Sequence, residues 1–357
     1  MKVAERARTA KNRGVRNSIF GGGGRFLAAG AVTLTILLHP GAAVVSRAEP
    51  PAGAERSTAK AFIVVDDKSG HVLAGSRTDD KLQVASLTKV ATAVVVLDWV
   101  RLGGHTLDET VTVPAAAVTA AGTGTPGGLQ TGDEVSVRDL LYAALLQSDN
   151  VAADALAEYV GADLLRAGAG AGGDTPRARR GGPTPQTVRF VAEMNALARH
   201  LGMARTRFLN PTGSDGAEKP YSTAADLARL TRHAMAKADF RFFVSQKERR
   251  ITVRRAGTPA DFMVNNTNQL LGKQRVDGVK TGSTTRAGEC LIVSAARDPL
   301  VKVEGSTSQI TPRRVIVVLL GSGDRFGEGA TLIERGAALY DQWAAAGYPS
   351  DPKQPSF

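Results

Sequence analysis

The feature that most restricts the fold is where strand-forming stretches fall: at the two ends of the globular part of the chain. "AFIVVDDKSGHVLAGS" (Ala61–Ser76) reads as two short strands around the turn Asp67-Lys68-Ser69-Gly70. Strand character returns near Ile251–Arg255, Gly278–Thr281, Glu289–Ala295 and Val315–Leu320. Helical periodicity fills most of the middle. A helix opens at Ser86. Another covers Ser136–Gln147, with Ser136 as N-cap and Asp139 three residues on, and a third covers Val151–Val160. Pro185–Leu201 is capped by Thr184 and stopped by Gly202, and Thr223–Ala238 starts at capping-box spacing with Asp226. Val111–Val135 reads as strand and loop, and a last helix covers Glu328–Ala345. Strands at both ends with helices between predict one antiparallel sheet built from the chain's two ends and flanked by helices, an α+β (α/β) architecture.

Several segments lie outside this frame. Residues 1–48 carry eight Lys/Arg and one acid, so most of the +11 net charge of the 357 residues sits there and the rest carries only +4. That distribution argues against a nucleic-acid binder. Within this segment a basic stretch ends at Arg25, Phe26–Leu38 is an apolar run of 13, and "SRA" closes it at Ala48. Such a series is either a cleaved export signal or an uncleaved N-terminal membrane anchor, the run being short for a span of about 20 residues. Residues 49–60 read as a linker, 61–346 as one domain and 347–357 as a tail. Gly161–Pro185, with seven glycines and the basic run Arg177, Arg179, Arg180, reads as a surface insertion. The lone Cys290 sits in an alternating apolar stretch and is expected in the core. The five histidines are scattered, and no Cys/His cluster for zinc exists.

Ser-x-x-Lys occurs three times: Ser57–Lys60, Ser86–Lys89 and Ser350–Lys353. Only the second opens an apolar helix, where positions i and i+3 share a face and unpaired backbone N–H groups add positive potential. A serine hydroxyl needs a base, and lysine serves only when neutral. Lowering its pKa from about 10.4 to about 7–8 takes roughly 4 kcal/mol, from burial and a second cation. Lys280, in "VDGVKTGST", is the candidate cation. Between the two lies Ser148-Asp149-Asn150. Singly, each motif is also an ordinary pattern: a helix cap with a snorkelling lysine, an interhelical turn, a strand edge. Together and in this order, S-x-x-K, S-D-N and K-T-G are the motif set of class A β-lactamases and penicillin-binding proteins.

On these motifs, with "FLNPTG", "YSTAADLARL" and "AGECLIVSA", the chain from about Ala61 to Ala345 resembles the low-molecular-mass penicillin-binding proteins, the serine D-alanyl-D-alanine carboxypeptidases. The resemblance implies a β-lactamase/transpeptidase-like fold: an antiparallel sheet flanked by helices, an all-helical lobe, and a cleft between them. It implies cleavage of the terminal D-Ala from peptidoglycan stem peptides in the cell envelope, with β-lactams as inhibitors and with no metal or organic cofactor. Carried over by motif, Ser86 is the nucleophile and Lys89 its base. Ser148 relays a proton, and Asn150 positions Lys89 and the substrate amide. Lys280 and Thr281 hold the terminal carboxylate, and Gly282 lets the substrate lie along the strand. The N–H groups of Ser86 and Ser283 form the oxyanion site. Arg325 either assists with the carboxylate or simply opens the last helix. The same motifs suit a D,D-endopeptidase or a non-catalytic wall-binding scaffold. A β-lactamase is disfavoured, because Thr206 stands where class A enzymes place their deacylating glutamate. The chain departs from the family at Pro220, where a histidine is common, and at Ser214, where leucine is usual.

Overall fold

The computed structural model describes residues 57–122, 128–169, 182–305 and 307–349. The export segment, residues 49–56 of the linker, the arginine run of the insertion and the Ser350–Lys353 motif lie outside the described residues.

The chain's two ends do meet in one antiparallel sheet. Its strands are β1 (Ala61–Asp66), β2 (Val72–Ser76), β7 (Val276–Thr284), β8 (Gly288–Glu304) and β9 (Thr307–Ser322), in the order β2-β1-β9-β8-β7. The central pairing sets Ile63 opposite Val318 and Val293 opposite Val317. The period-2 alternation of β9 distributes its apolar run to two layers. Ile316, Val318 and Leu320 join one core with the helices, whereas Val315, Val317 and Leu319 pack with Leu332, Ile333 and Tyr340 of the last helix, α8 (Arg325–Ala345). A sheet covered on both faces explains why its strands read as unbroken hydrophobic runs. At about 1.5–3 kcal/mol for each fully buried Val, Ile or Leu, these layers dominate the stability of the fold.

The helical lobe holds α1 (Lys89–Gly103), α2 (Ala115–Ala121), α3 (Val137–Tyr142), α4 (Asn150–Ala169), α5 (Pro185–His200), α6 (Ala224–Met235) and α7 (Ala238–Val244). The expected caps are present: Ser136 accepts from the N–H of Asp139, Thr184 from Thr187 and Thr223 from Asp226. The lobe is not purely helical, however. A second sheet, β3-β4-β5-β6, is built from β3 (Thr110–Thr112), β4 (Glu134–Ser136), β5 (Glu248–Arg255) and β6 (Thr258–Asn265). Two three-residue strands and one carrying Pro259 give almost no periodic signal, so only their long-range pairing reveals them.

Other boundaries shift. Helix α2 lies inside the stretch read as strand and loop. Helix α4 runs to Ala169, so the first nine residues of the expected insertion are helix. Gly161 lets α4 pack on α5, since a Cβ there would meet the Gln186 carbonyl oxygen at 2.1 Å. The expected Thr223–Ala238 helix ends at Met235, before the separate α7. The end of the expected linker is pinned: Ser57 Oγ donates to Glu328 Oε2 at 2.5 Å and the Thr58 N–H to Glu328 Oε1 at 3.2 Å. Cys290 is fully buried, and burial pushes its thiol up to about 11.

Candidate active site

Ser86 lies on a 3₁₀ turn, Ala85–Thr88, that leads into α1. Ala85 just before it has φ +49, a conformation costly for a residue with a Cβ. The turn is wedged between two glycines. A Cβ on Gly213 would meet the Ala85 carbonyl oxygen at 1.9 Å, and one on Gly282 would meet the Ser86 nitrogen at 3.0 Å. Strand β7, the edge of the five-stranded sheet, therefore runs directly against the serine.

Lys89 is buried, and its Nζ lies 3.1 Å from Ser86 Oγ, 2.7 Å from Asn150 Oδ1 and 3.0 Å from the Thr212 carbonyl oxygen. Three elements thus converge on one nitrogen. The Thr212 carbonyl is aimed by Asn210, whose Oδ1 accepts from the Gly213 N–H at 2.6 Å and from the Thr212 N–H at 3.2 Å. Burial pulls the Lys89 ammonium down to about 8, against Asp154 and Asp149, whose negative charge favours the protonated form. Asp149 also caps α4 by accepting from the Ala152 N–H. Asp154 lies one turn beyond Asn150 and is buried; its carboxyl is pushed up to about 7, with Lys89 pulling the other way.

Ser148 is half-buried and sits in the left-handed region, φ +66, at the end of the wide turn Ala143–Gln147 that follows α3. Lys280 is buried on β7, and its Nζ donates to the Thr281 carbonyl at 3.1 Å. Burial first, then the charges of Lys89 and Arg325, drive Lys280 well below its ordinary range. Two buried ammonium groups in one cleft disfavour each other. Three oxygens surround Lys89 and two carboxylates favour its protonated form, whereas the Lys280 Nζ donates to the Thr281 carbonyl. The sequence reading asks for both burial and Lys280 as a second cation to keep Lys89 neutral. Burial is the first cause of the lowered Lys89, and the charge of Lys89 in turn lowers Lys280.

Thr281 is buried and its Oγ1 lies 2.6 Å from Thr267 Oγ1; Ser283 is exposed at the strand's end. Arg325 is the first residue of α8, and it also reaches the site: its Nη1 donates to the Gly282 carbonyl at 3.0 Å. Thr206 donates to Asp226 Oδ2 at 2.8 Å. The structure therefore joins Ser86, Lys89 and Asn150 by direct contact and brings Gly282 against Ser86. It also links Arg325 to Gly282. Sequence reasoning missed Thr212, Asp154 and Thr267. A backbone carbonyl has no side-chain signature, and the other two carry no motif.

A serine–lysine pair at a helix start, closed by an edge strand bearing Lys-Thr-Gly, defines the active-serine, penicillin-interacting class of acyl-transfer proteins. Within that class the chain belongs to the D-alanyl-D-alanine carboxypeptidase family of serine peptidases, whose model matches residues 45–164 and 185–303. It is 31% identical over 326 residues to the D-alanyl-D-alanine carboxypeptidase DacC of Escherichia coli, covering 89% of this chain and 70% of that one. A D-alanyl-D-alanine endopeptidase of Pseudomonas aeruginosa is 31% identical, with 73% and 76% covered. The chain spans only 58% of the length of the Bacillus subtilis carboxypeptidase DacF. Among solved structures, the Streptomyces K15 DD-transpeptidase superposes with a TM-score of 0.64 at 27% identity, over 79% of this chain and 98% of that one.

Proposed function

We propose that this chain is a serine-type D-alanyl-D-alanine carboxypeptidase that releases the terminal D-Ala of peptidoglycan stem peptides through an acyl-enzyme on Ser86. The observation that carries the reading is the contact set of Lys89. As a neutral amine, Nζ has one lone pair and two N–H donors. The Ser86 hydroxyl suits the lone pair, and the Asn150 and Thr212 oxygens suit the donors. As an ammonium it donates to all three. The same geometry therefore serves before and after proton transfer, with no reorganisation.

In this reading Ser86 Oγ attacks the carbonyl carbon of the D-Ala–D-Ala bond while Lys89 takes its proton. The N–H groups of Ser86 and Ser283 hold the oxyanion. Ser148 passes a proton to the departing amine, and water then cleaves the ester. Lys280 and Thr281 hold the terminal carboxylate, and Arg325 adds positive charge through its bond to the Gly282 carbonyl. A carboxylate beside Lys280 favours its charged form, which burial disfavours. β-Lactams enter by the same route and acylate Ser86. Export through the 1–48 segment, by cleavage after Ala48 or by anchoring, puts the domain in the cell envelope. N-terminal sequencing of envelope-derived protein should then give Glu49 for cleavage or Met1 for the anchor, and Met1 in cytosol would refute export.

The central test is brief exposure to benzylpenicillin followed by peptide mass mapping. One adduct on the peptide containing Ser86 is expected. An adduct elsewhere, or none, refutes the assignment. Incubation with a stem pentapeptide and with a crosslinked dimer then reads the reaction: release of D-Ala from the first marks a carboxypeptidase, and cleavage of only the second marks an endopeptidase.

A further inference from the structure

Thr267 belongs to neither the motif set nor the mechanism above, yet it touches both sides of the cleft. It follows β6. Its N–H donates to the Leu146 carbonyl at 3.0 Å, and its hydroxyl donates to the same oxygen at 3.2 Å, two residues before Ser148. The hydroxyl also lies 2.6 Å from Thr281 Oγ1. The backbone here is held on both flanks. Asn266 Nδ2 donates to the Val244 and Gln246 carbonyls, and Asn268 Nδ2 donates to the Gly278 carbonyl on β7 at 2.9 Å. Thr267 is thus an exposed residue on a fixed base, with its hydroxyl against the buried Thr281.

Proton counting gives this contact a consequence. Each hydroxyl has one proton to donate. When Thr267 donates to Leu146, the proton in the 2.6 Å contact must come from Thr281, whose only donor then points away from a ligand. When Thr267 donates to Thr281, the Thr281 O–H is free to turn outward. A bound carboxylate accepts only, so it selects the second state. The chain Thr267 O–H to Thr281 O–H to carboxylate then runs in one direction, and each bond polarises the next.

We propose that Thr267 is a positioning residue for carboxylate recognition: by giving its proton to Thr281 it turns the Thr281 hydroxyl toward the ligand's carboxylate. The proposal rests on the reading that Thr281 binds that carboxylate. Leu146 keeps its bond from the Thr267 N–H in either state, so the switch leaves no backbone acceptor unpaired.

The test compares acylation rate constants for benzylpenicillin and for its methyl ester, whose carboxylate is blocked, in Thr267→Val, Thr267→Ser and Thr281→Val. Rate constants do not depend on the fraction of protein that is folded. Thr267→Val leaves the Thr281 hydroxyl with neither a fixed orientation nor a polarising donor, and is expected to slow benzylpenicillin about 3- to 10-fold while leaving the ester within about twofold. Thr267→Ser should restore the wild-type ratio, which a packing role for the γ-methyl would not predict. If Thr267→Val slows both ligands equally or neither, while Thr281→Val remains selective for the free acid, the proposal is overturned and the carboxylate reading stands. If Thr281→Val shows no selectivity either, the carboxylate reading fails and the proposal falls with it.

Discussion

Asp154 opposes the burial that lowers Lys89, so its charge should set how much of Lys89 is neutral near pH 7. The perturbation is Asp154→Asn, which keeps the shape and removes the charge. In the wild type, burial brings Lys89 to about 8, and the Asp154 carboxylate is the largest opposing influence. At pH 7 about one lysine in ten is then neutral. A nearby carboxylate at an effective dielectric near 20 is worth about 2–3 kcal/mol to an ammonium. Asp154 itself titrates at about 7, so about half of that acts at pH 7. Removing it should lower Lys89 by about one pK unit and bring about half of the lysines to the neutral form. Acylation at pH 7 should rise about fivefold, with no gain above about pH 9, where the lysine is already neutral. The assay is the second-order rate constant for acylation by benzylpenicillin from pH 5.5 to 10. The acid limb must move to lower pH. A limb that stays in place or moves up, in a variant that still binds penicillin stoichiometrically, refutes the electrostatic account of this site.

The same variant has a stability signature. The folded carboxyl titrates at about 7 and the unfolded one near 3.8, so ionising Asp154 costs the folded chain progressively between about pH 4 and pH 7. Asp154→Asn should therefore be more stable than wild type by about 1–3 kcal/mol in urea at pH 8, with the difference vanishing near pH 4. Lys280→Gln should reduce carboxypeptidase efficiency by at least about 10²-fold, through the lost contact to a charged ligand. Its acid limb should stay in place, because burial rather than Lys280 is the first cause of the lowered Lys89; an upward move would show that a charged Lys280 helps to hold Lys89 neutral. Gly282→Val should slow acylation at least about 10²-fold with little change in far-ultraviolet circular dichroism, since the new Cβ meets the Ser86 nitrogen at 3.0 Å and forces β7 off the serine. Native Cys290, buried with its thiol pushed up to about 11, should resist Ellman's reagent until the chain is unfolded.

What the sequence by itself determined is local or periodic. Ser136, Thr184 and Thr223 announce their helices because a cap involves a hydroxyl and an N–H only three residues apart. The apolar runs in β1 and β9 announce buried strands at the chain's two ends, because burial leaves successive positions apolar. Ser86 and Lys89 stand out because three residues along a helical turn share one face. The rest was decided by the tertiary structure. The Thr212 carbonyl on Lys89 is a backbone group that any residue supplies, and only the fold of the Asn210 loop aims it. Asp154 is one more acid on a helix until packing buries it beside Lys89. The short strands β3 and β4 exist only through partners, β5 lying more than a hundred residues away. Arg325 opens a helix in the sequence and bonds β7 in the fold. Caps and periodicity depend on neighbours along the chain, whereas the charge on Lys89 depends on distance through a poorly screening interior, and that distance is set only when the sheet and the helical lobe close on each other.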